Sequence, residues 1–424
     1  MDLRIKTSSL KGMIPATQSK WSVHRMIFCS ALASEPTVLT INSLSEDIYG
    51  ALDTVKRFGG DVFPVSEREY RITPIWAKKA THPVLYARES GTFLRFIMPV
   101  AAALFDSFEI HCQTAVPPYA PIMRQMEEHG CACTYGDGVM SFKGKLRGGR
   151  FTLAGNSGGR FLSGLLFALP LLEEDSELSF TSPLQTSGYV DMTLETAAKY
   201  GVRIYKRDNG YFVKGSQHYE KPFDVEKLTV EGDWSSAAVL LVGGALGGEV
   251  CCGGLSIESS QPDKAIVPLL SAMGAEIRAD KRTGSVFAFK SKLKGIDVDC
   301  SSVPDLVPAL AVAMALAEGN SMIRNIGWLR HKESDRIRAL AENLGRMGAK
   351  VTEYEDALGF TGVKLLKGAE VDSFGDHRIA MAMAIAGAVA RGETVVKGAS
   401  SAVNKSYSRF FYDFRLLGGE AEDI

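Results

Sequence analysis

The densest group of side chains that could do chemistry is the segment RHKESDR (330–336), which leads into an amphipathic stretch. Lys332 and Arg336 could hold an anion at the start of the predicted helix, because free N–H groups and the helix dipole favour negative charge there. Glu333 could donate or accept a proton. A solvated, charged helix start would have the same composition, so this segment alone leaves both interpretations open.

A second group is the segment GDHR (375–378), which opens an uncharged, Ala-rich run. A His-Arg pair at the start of a buried helix is costly unless it is paired or binds a ligand. We therefore favour anion binding by His377 and Arg378. Lys405, in the segment VNKSY, would by itself be interpreted as a surface lysine.

Asp305 is a lone carboxylate between apolar residues in the segment VPDLVP (303–308). It could cap the helix that follows. It could also be a general base whose proton affinity is adjusted by partial burial. The residues alone leave these two interpretations open.

The N-terminal half carries weaker signals of the same kind. Lys20 and Arg25 lie five residues apart at a predicted helix start, and Gly91 and Thr92 combine a close backbone approach with a hydroxyl group. The segment GNSGGR, which ends at Arg160, resembles a backbone nest for an anion. No glycine-rich segment fits the dinucleotide-binding or phosphate-loop patterns, so nucleotide binding of either kind is not expected.

Each of these polar groups must be held in place by a helix or a strand, and the predicted helices and strands repeat along the chain. Six times, at a spacing of roughly 70 residues, a polar cluster opens into an Ala-rich run. The runs are FCSALA, FIMPVAAALF, FLSGLLFALPLL, AAVLLVGGALGG, LVPALAVAMALA and IAMAMAIAGAVA. An amphipathic stretch, a glycine and a strand-like segment alternate with them, and these glycines are Gly60, Gly130, Gly201, Gly274, Gly348 and Gly418.

These patterns predict an α/β protein in which each unit has one buried and one half-buried helix. Ile337, Leu340, Ala341, Leu344 and Met347 show the helical spacing of the half-buried type. Six units divide naturally into two groups of three. The polar, Gly/Pro-containing stretch 207–227 separates them, so the domain junction is predicted there.

Length and composition narrow the classes of partner and cofactor that are expected for this chain. A chain of 424 residues suggests two domains of about 200 residues each. The net charge of −1 gives no reason to expect nucleic acid or an anionic membrane as a partner, whereas the local basic residues suit a small anionic substrate. The seven cysteines show no metal-ligand spacing, so no metal is expected.

The chain is predicted to be cytoplasmic and without a membrane anchor. Its first residues lack the continuous apolar core of a signal peptide. The longest apolar runs, 303–317 and 379–390, are shorter than the 18 or so residues that a membrane span requires.

Taken together, the motifs resemble those of the enolpyruvyl transferases, and specifically the EPSP synthase family. The resemblance covers essentially the whole chain and preserves motif order. The closest motifs are VEGDWSSAA, VPDLVPALAV, RHKESDR, DSFGDHRIAMA and AVNKSYSRFF. QSKWSVHR, ESGTFLRF, RFLSGLLFALPLL and GYVDMTLE are weaker matches in the N-terminal half.

The resemblance implies a two-domain, inside-out α/β barrel with three βαβαββ repeats in each domain. One domain is residues 19–226, on the shikimate-phosphate side. The other is residues 1–18 plus 227–424, on the phosphoenolpyruvate side. The implied reaction transfers the enolpyruvyl group of phosphoenolpyruvate to the 5-hydroxyl of shikimate 3-phosphate, releasing phosphate, in chorismate biosynthesis. No cofactor is implied, and the protein is expected to be a monomer.

The resemblance also assigns roles to residues. The catalytic residues would be Asp305 as acceptor of the hydroxyl proton, with Glu333 and Lys20 in the other proton transfers. Phosphoenolpyruvate would be bound by Arg336, Arg378, Lys405 and the backbone at Gly91. Shikimate 3-phosphate would contact Arg25, Thr186, Tyr189 and Lys332. Thr92 and His377 belong to the same predicted substrate site.

The sequence departs from the family pattern in its N-terminal half. Trp21 replaces a hydroxyl-bearing residue, Pro117-Pro118 replaces an arginine-proline pair, and GGR (158–160) replaces a Ser-Ser-Gln signature. Arg160 could compensate, because the preceding glycines could present N–H groups to a phosphate.

Other functions are compatible with these departures. A relative that uses another acceptor is one, and an anion-binding protein that has lost activity is another. Asp305 and Glu333 favour catalysis, since simple anion binding has no use for carboxylates. Transfer to a UDP-sugar is disfavoured because the loop 115–121 lacks the cysteine acid of those enzymes.

Overall fold

The computed structural model describes residues 1–42, 44–77, 80–88, 91–112, 120–155, 159–184, 187–223 and 226–424. The first strands in chain order are β1 (Leu3–Lys6), β2 (Lys11–Pro15), β3 (Thr37–Thr40), β4 (Asp61–Ser66), β5 (Glu69–Thr73), β6 (Val84–Arg88), β7 (Ser107–Cys112), β8 (Ala132–Gly136), β9 (Val139–Lys143), β10 (Gly149–Leu153), β11 (Ser176–Phe180), β12 (Ile204–Arg207), β13 (Gly210–Val213) and β14 (Lys227–Thr229). The later strands are β15 (Glu249–Gly253), β16 (Glu276–Asp280), β17 (Ser285–Phe289), β18 (Asp297–Asp299), β19 (Asn320–Arg324), β20 (Lys350–Glu353), β21 (Ala357–Thr361), β22 (Glu370–Asp372), β23 (Thr394–Lys397) and β24 (Glu420–Asp423).

The α-helices alternate with these strands. They are α1 (Lys20–Leu32), α2 (Glu46–Phe58), α3 (Gly91–Leu104), α4 (Ala120–Glu128), α5 (Gly159–Ala168), α6 (Ser187–Lys199), α7 (Trp234–Gly247), α8 (Ile266–Ala272), α9 (Val307–Leu316), α10 (Arg336–Arg346), α11 (His377–Val389), α12 (Ala399–Asn404) and α13 (Phe410–Leu416).

The chain divides into two units, each with its own hydrophobic core. Unit 1 contains Met1–Ser19 and Glu231–Ile424, and unit 2 contains Lys20–Val230. Part of the predicted junction, 207–227, forms strand β13. The predicted domain boundaries, 18/19 and 226/227, remain a prediction that expression of fragments can test.

The six repeats form six four-stranded sheets of one topology among the described residues. In the fifth repeat, β18 pairs in parallel with β19, which pairs antiparallel with β21, and β20 closes the sheet. The helices α9 and α10 lie between its strands in sequence, which gives the βαβαββ order. The other sheets have the orders β14-β3-β5-β4, β6-β7-β9-β8, β10-β11-β13-β12, β2-β15-β17-β16 and β22-β23-β1-β24. The predicted α/β fold is therefore confirmed.

Three of these sheets borrow a strand from a distant part of the chain. Strand β1 lies between β23 and β24, and β2 pairs in parallel with β15. In unit 2, β14 pairs in parallel with β3. The first nineteen residues therefore belong to unit 1, although residues 20–230, which follow them in the chain, form unit 2.

The Ala-rich runs form the buried helices, and their polar clusters lie at the helix starts. Helices α7, α9 and α11 contact one another in the core of unit 1. Their small residues allow close approach: a Cβ added at Gly243 would lie 2.8 Å from a methyl group of Leu10 and 3.0 Å from one of Ile385. In unit 2, α3 and α5 pack in the same way.

The recurring glycines end the amphipathic helices. In one of the six repeats the glycine in question is the neighbour of the predicted one. The backbone φ angles are 92° at Gly130, 80° at Gly201, 86° at Gly274, 85° at Gly348 and 87° at Gly418, all in the left-handed region. In the first repeat this position is Gly59, with φ 103°, rather than the predicted Gly60. Gly60 is instead needed for close packing, since its Cβ would lie 2.6 Å from the carbonyl oxygen of Thr73.

Within the ranges that the structure describes, no helix is both long enough and apolar enough to cross a bilayer.

Candidate active site

Three elements of unit 1 bring the predicted C-terminal site residues together. Asp305 lies in the 3-10 turn Pro304–Leu306 that precedes α9. Arg336 is the first residue of α10, and Arg378 is the second residue of α11. Because α9, α10 and α11 contact one another, the starts of the three helices converge.

Asp305 is a buried carboxylate held by two guanidinium groups. Its side chain is 1% exposed, with Oδ1 accepting a hydrogen bond from Arg336 Nη1 at 3.0 Å and Oδ2 accepting one from Arg378 Nη2 at 3.0 Å. Asp305 directly precedes Leu306, the N-cap residue of α9, so it is not itself the cap residue, and its role as a general base remains a prediction.

Arg336 connects three carboxylates. Its Nη1 donates to Asp305, its Nε donates to Asp376 Oδ2 at 2.7 Å, and its Nη2 donates to Glu333 Oε2 at 2.8 Å. Burial by itself would lower the pKa of Arg336, but the charges of Asp376, Glu333 and Asp305 outweigh it and raise the pKa above its usual range. The guanidinium group therefore stays charged although it is buried.

Asp376, in the segment GDHR, is a member of this group to which the sequence pattern gave no role. It is fully buried, it caps α11 by accepting from the backbone N–H of Arg378 at 2.9 Å, and it binds Arg336. The sequence feature that could have pointed to Asp376 is its position, because an aspartate just before an Ala-rich run is typical of a helix cap. We call Asp305, Glu333, Arg336, Asp376 and Arg378 the arginine–carboxylate cluster.

The remaining predicted residues of unit 1 are His377, Lys405, Lys332 and Glu333. His377, 4% exposed, begins α11, and Lys405 directly follows α12. The Lys332 Nζ lies 4.0 Å from the ring centroid of Trp328, a cation–π contact that orients the ammonium group. The side chain of Glu333 is 34% exposed, so solvent reaches it while Asp305 is enclosed.

In unit 2, Lys20 begins α1 and is 9% exposed. Its Nζ donates to Asp47 Oδ2 at 2.9 Å, and Asp47 lies in the first turn of α2. His24, on the same helix as Lys20, is fully buried, and burial lowers its pKa to about 4. This histidine is therefore neutral at neutral pH. Asp47 carried no signal in the sequence beyond its acidic type.

Arg25 is fully buried at the centre of a second polar group in unit 2. Its Nε donates to Thr193 Oγ1 at 2.9 Å, its Nη1 to the carbonyl oxygen of Trp21 at 2.9 Å, and its Nη2 to that of Tyr189 at 2.6 Å. The rings of Trp21 and Tyr189 pack at 5.2 Å between centroids. Arg25 thus links α1 to α6, and its predicted contact with a substrate phosphate remains a prediction.

The other predicted residues of the N-terminal half lie at helix starts or outside the described residues. Gly91 and Thr92 form the start of α3, and Arg160 is the second residue of α5, but the side chains of Thr92 and Arg160 lie outside the described part. The same holds for Thr186, for the loop with Pro117-Pro118 and for Gly158.

The fold and the cluster define the class of protein: a repeated βαβαββ structure with buried arginines and carboxylates at converging helix starts, suited to an anionic substrate and to proton transfer. A sequence model of the family described as EPSP synthase (3-phosphoshikimate 1-carboxyvinyltransferase) matches residues 5–414. The chain belongs to this family.

Relatives with curated descriptions match over the full length. The 3-phosphoshikimate 1-carboxyvinyltransferase of Clostridium acetobutylicum is 37% identical over 432 residues, covering 99% of this chain and 98% of the relative. The protein of the same description from Methanocaldococcus jannaschii is 34% identical over 427 residues, covering 98% of both chains.

Solved structures agree with the fold. The EPSP synthase of Acinetobacter baumannii superimposes with a TM-score of 0.83 at 24% identity, covering 100% of both chains. The enolpyruvyl transferase NikO of Streptomyces tendae gives a TM-score of 0.80 at 16% identity, covering 99% of this chain and 98% of the other. At these identities the similarity is evidence for the fold alone.

Proposed function

We propose that the chain transfers the enolpyruvyl group of phosphoenolpyruvate to the 5-hydroxyl of shikimate 3-phosphate, with release of phosphate. The observation that carries this proposal is the buried carboxylate of Asp305, bound on both oxygens by Arg336 and Arg378. A proton acceptor and two fixed cations are what the attack of a hydroxyl group on an anionic enol requires. The descriptions of the full-length relatives support the same reaction.

Binding of phosphoenolpyruvate would change the partners of the two arginines. Their N–H groups point at carboxylates of the protein, and a second anion competes for the same donors. Substrate on Arg336 and Arg378 therefore frees Asp305 to accept a proton. Until phosphoenolpyruvate is bound, the two arginines would occupy the carboxylate of Asp305 and keep it from acting as a base. Lys405 and the backbone at Gly91 are proposed to complete the phosphoenolpyruvate site.

The reaction then proceeds in two steps. The 5-hydroxyl oxygen bonds to C2 of phosphoenolpyruvate while Asp305 takes the hydroxyl proton and a protonated group delivers a proton to the C3 methylene. Glu333 and Lys20 are proposed for this delivery. In the second step C3 loses a proton, the C2–O bond to phosphate breaks and the enol ether forms. The fixed cations stabilise the charge of the tetrahedral intermediate.

On the acceptor side, the proposed ligands of shikimate 3-phosphate are Arg25, Thr186, Tyr189, Lys332 and Arg160. Thr92 and His377 are proposed as further substrate contacts. We also propose that the protein acts as a monomer in the cytoplasm, without a metal or organic cofactor. The cation–π contact between Lys332 and Trp328 supports one part of this site, since it holds the ammonium group in one direction.

The test measures phosphate release from phosphoenolpyruvate with and without shikimate 3-phosphate. Asp305→Asn is expected to lower kcat by about 10²- to 10⁴-fold, because the general base is lost. The KM for phosphoenolpyruvate is expected to stay the same or fall, because a competing carboxylate is removed.

Asp297→Asn is the matched control, since this exposed carboxylate of the same repeat binds Arg324 at 3.0 Å and is expected to leave kcat unchanged. Absence of acceptor-dependent release by the wild type contradicts the proposed function. An Asp305→Asn variant that retains a tenth or more of kcat contradicts the role of Asp305.

A further inference from the structure

The segment RHKESDR begins with Arg330, a residue to which the proposed reaction gives no role. Arg330 lies in the 3-10 helix that precedes α10, and its side chain is 23% exposed. Its Nη1 donates to Asp335 Oδ2 at 2.9 Å and to Glu353 Oε1 at 2.8 Å. Its Nε donates to the carbonyl oxygen of Glu355 at 3.0 Å, and its Nη2 to that of Tyr354 at 2.7 Å. One guanidinium group thus joins the 3-10 helix, the start of α10 and the turn between β20 and β21.

Asp335 completes this connection at the start of α10. It is the N-cap residue of the helix, with Oδ1 accepting from a backbone N–H of the first turn at 3.1 Å while Oδ2 accepts from Arg330. Residues 331–334 lie between Arg330 and Asp335, so the ion pair closes them into a short loop. This loop contains Lys332 and Glu333, which are proposed to contact the acceptor and to transfer a proton.

The turn after β20 also holds the beginning of the 3-10 helix. Asp356 accepts from the backbone N–H of Gly327 through its side chain, and from that of Ile326 at 3.1 Å through its carbonyl oxygen. Trp328 follows directly, and the ammonium group of Lys332 lies 4.0 Å from the centroid of its ring. The turn therefore fixes the backbone on both sides of the ring that orients this ammonium group.

We propose that Arg330 is a positioning residue that holds Lys332 and Glu333 in place for the reaction. This inference rests on the proposed function. We call Arg330, Asp335 and the turn 353–356 the Arg330 clamp. While the clamp is formed, the loop can move only by breaking charge-assisted hydrogen bonds, which are the strong ones. Without it, the ammonium and carboxyl groups of the loop would spread over several positions, which costs rate and acceptor affinity.

The first test is the kinetics of Arg330→Met, which removes the charge and all of the donors. We expect kcat to fall about ten- to a hundredfold and the KM for shikimate 3-phosphate to rise about tenfold, because Glu333 and Lys332 lose their fixed positions. The KM for phosphoenolpyruvate should stay unchanged, since Arg336 keeps its bond to Asp376. A purely structural role would lower the amount of active enzyme, and with it the apparent kcat, but neither KM.

A conservative variant and a control accompany this measurement. Arg330→Lys should recover part of the loss, because an ammonium group can bind Asp335 but cannot also reach the carbonyl oxygens of the turn. Arg346→Met should leave kcat and both KM values unchanged, since this arginine of α10 is 47% exposed and binds Glu342 at 2.5 Å. An Arg330→Met variant with the wild-type kcat and the wild-type KM for shikimate 3-phosphate overturns the proposal.

Asp335→Asn tests the clamp from its other end. Asparagine is a good N-cap residue, so α10 keeps its cap while the ion pair with Arg330 is lost. This variant should show the same selective changes as Arg330→Met on a smaller scale. The double variant should be no worse than Arg330→Met, because both substitutions break the same interaction. Losses that multiply in the double variant would rule out the clamp.

Digestion with a lysine-specific protease measures the position of the loop without activity. Cleavage after Lys332, into fragments 1–332 and 333–424, should be about tenfold or more faster in Arg330→Met than in wild type, because the loop must leave its clamped position to enter the protease. Arg346→Met should be cleaved at the wild-type rate. Equal rates in all three proteins contradict the clamp. Lack of acceptor-dependent phosphate release by the wild type instead contradicts the proposed function alone.

Discussion

Single residues determine the charge balance of the arginine–carboxylate cluster. Arg336 is 1% exposed and Arg378 is 4% exposed, so each depends on carboxylate partners to remain buried as a cation. The sequence pointed to four members of the cluster because charged residues beside apolar runs must be paired or bind a ligand. It gave Asp376 no role, although the segment GDHR contains it.

Substitution of Arg160 tests its proposed role in binding the phosphate group of shikimate 3-phosphate. It follows two glycines at the start of α5, where a phosphate would also meet helix N–H groups. We expect Arg160→Ala to weaken binding of shikimate 3-phosphate by about ten- to a hundredfold, the usual range for a charge-assisted hydrogen bond. Fluorescence or calorimetric titration of each variant would measure it.

The matched control for Arg160 is Arg150→Ala. Arg150 lies on the neighbouring strand β10 with its side chain 78% exposed and binds Glu177 at 3.3 Å, so its loss should not change substrate affinity. Unchanged affinity for both substrates in Arg160→Ala would contradict the proposed role of Arg160.

At the scale of elements, the amphipathic helices depend on how they end. Helix α10 packs Ile337, Leu340 and Leu344 against the core, and Gly348 then turns the chain toward β20 with φ 85°. Only glycine adopts this backbone conformation without strain, so the recurring glycines keep each helix in register with the strand that follows.

Two glycines of this segment predict opposite effects on stability. Gly348→Ala should lower the free energy of unfolding by about 1 kcal/mol, because its φ is positive, although a Cβ would meet no atom within 4 Å. Gly345→Ala, within α10 and exposed, should raise it by about 0.5–1 kcal/mol, because alanine favours the helix. Urea unfolding of both variants measures the difference. Equal effects of the two changes would contradict the assigned helix end.

At the scale of the whole molecule, unit 1 depends on the first residues of the chain. Strands β1 and β2 each complete a sheet of unit 1, and β1 is flanked on both sides. The last residue lies beside the first strand, since the backbone N–H of Ile424 donates to the carbonyl oxygen of Asp2 at 3.1 Å. A short linker can therefore join the two ends.

This geometry predicts how fragments fold. Residues 231–424 alone should fail to unfold cooperatively, because two sheets lack a strand. The same residues followed by a Gly/Ser linker of about five residues and then residues 1–19 should give cooperative thermal unfolding and near-UV circular dichroism. Residues 20–230 are the companion fragment, with a core of their own. Cooperative unfolding of 231–424 without the N-terminal segment would contradict the prediction.

The sequence by itself determined the repeat, the two kinds of helix and which residues are candidates for anion binding. These follow from local periodicity and from the cost of burying charge, both of which are written in neighbouring residues. Only the tertiary structure decided which charges meet. The pairing of Asp305 with Arg336 and Arg378, the bond between Arg336 and Asp376 and the burial of Arg25 depend on contacts between residues far apart in the chain. Side-chain directions at converging helix starts set those contacts, and no local pattern encodes them.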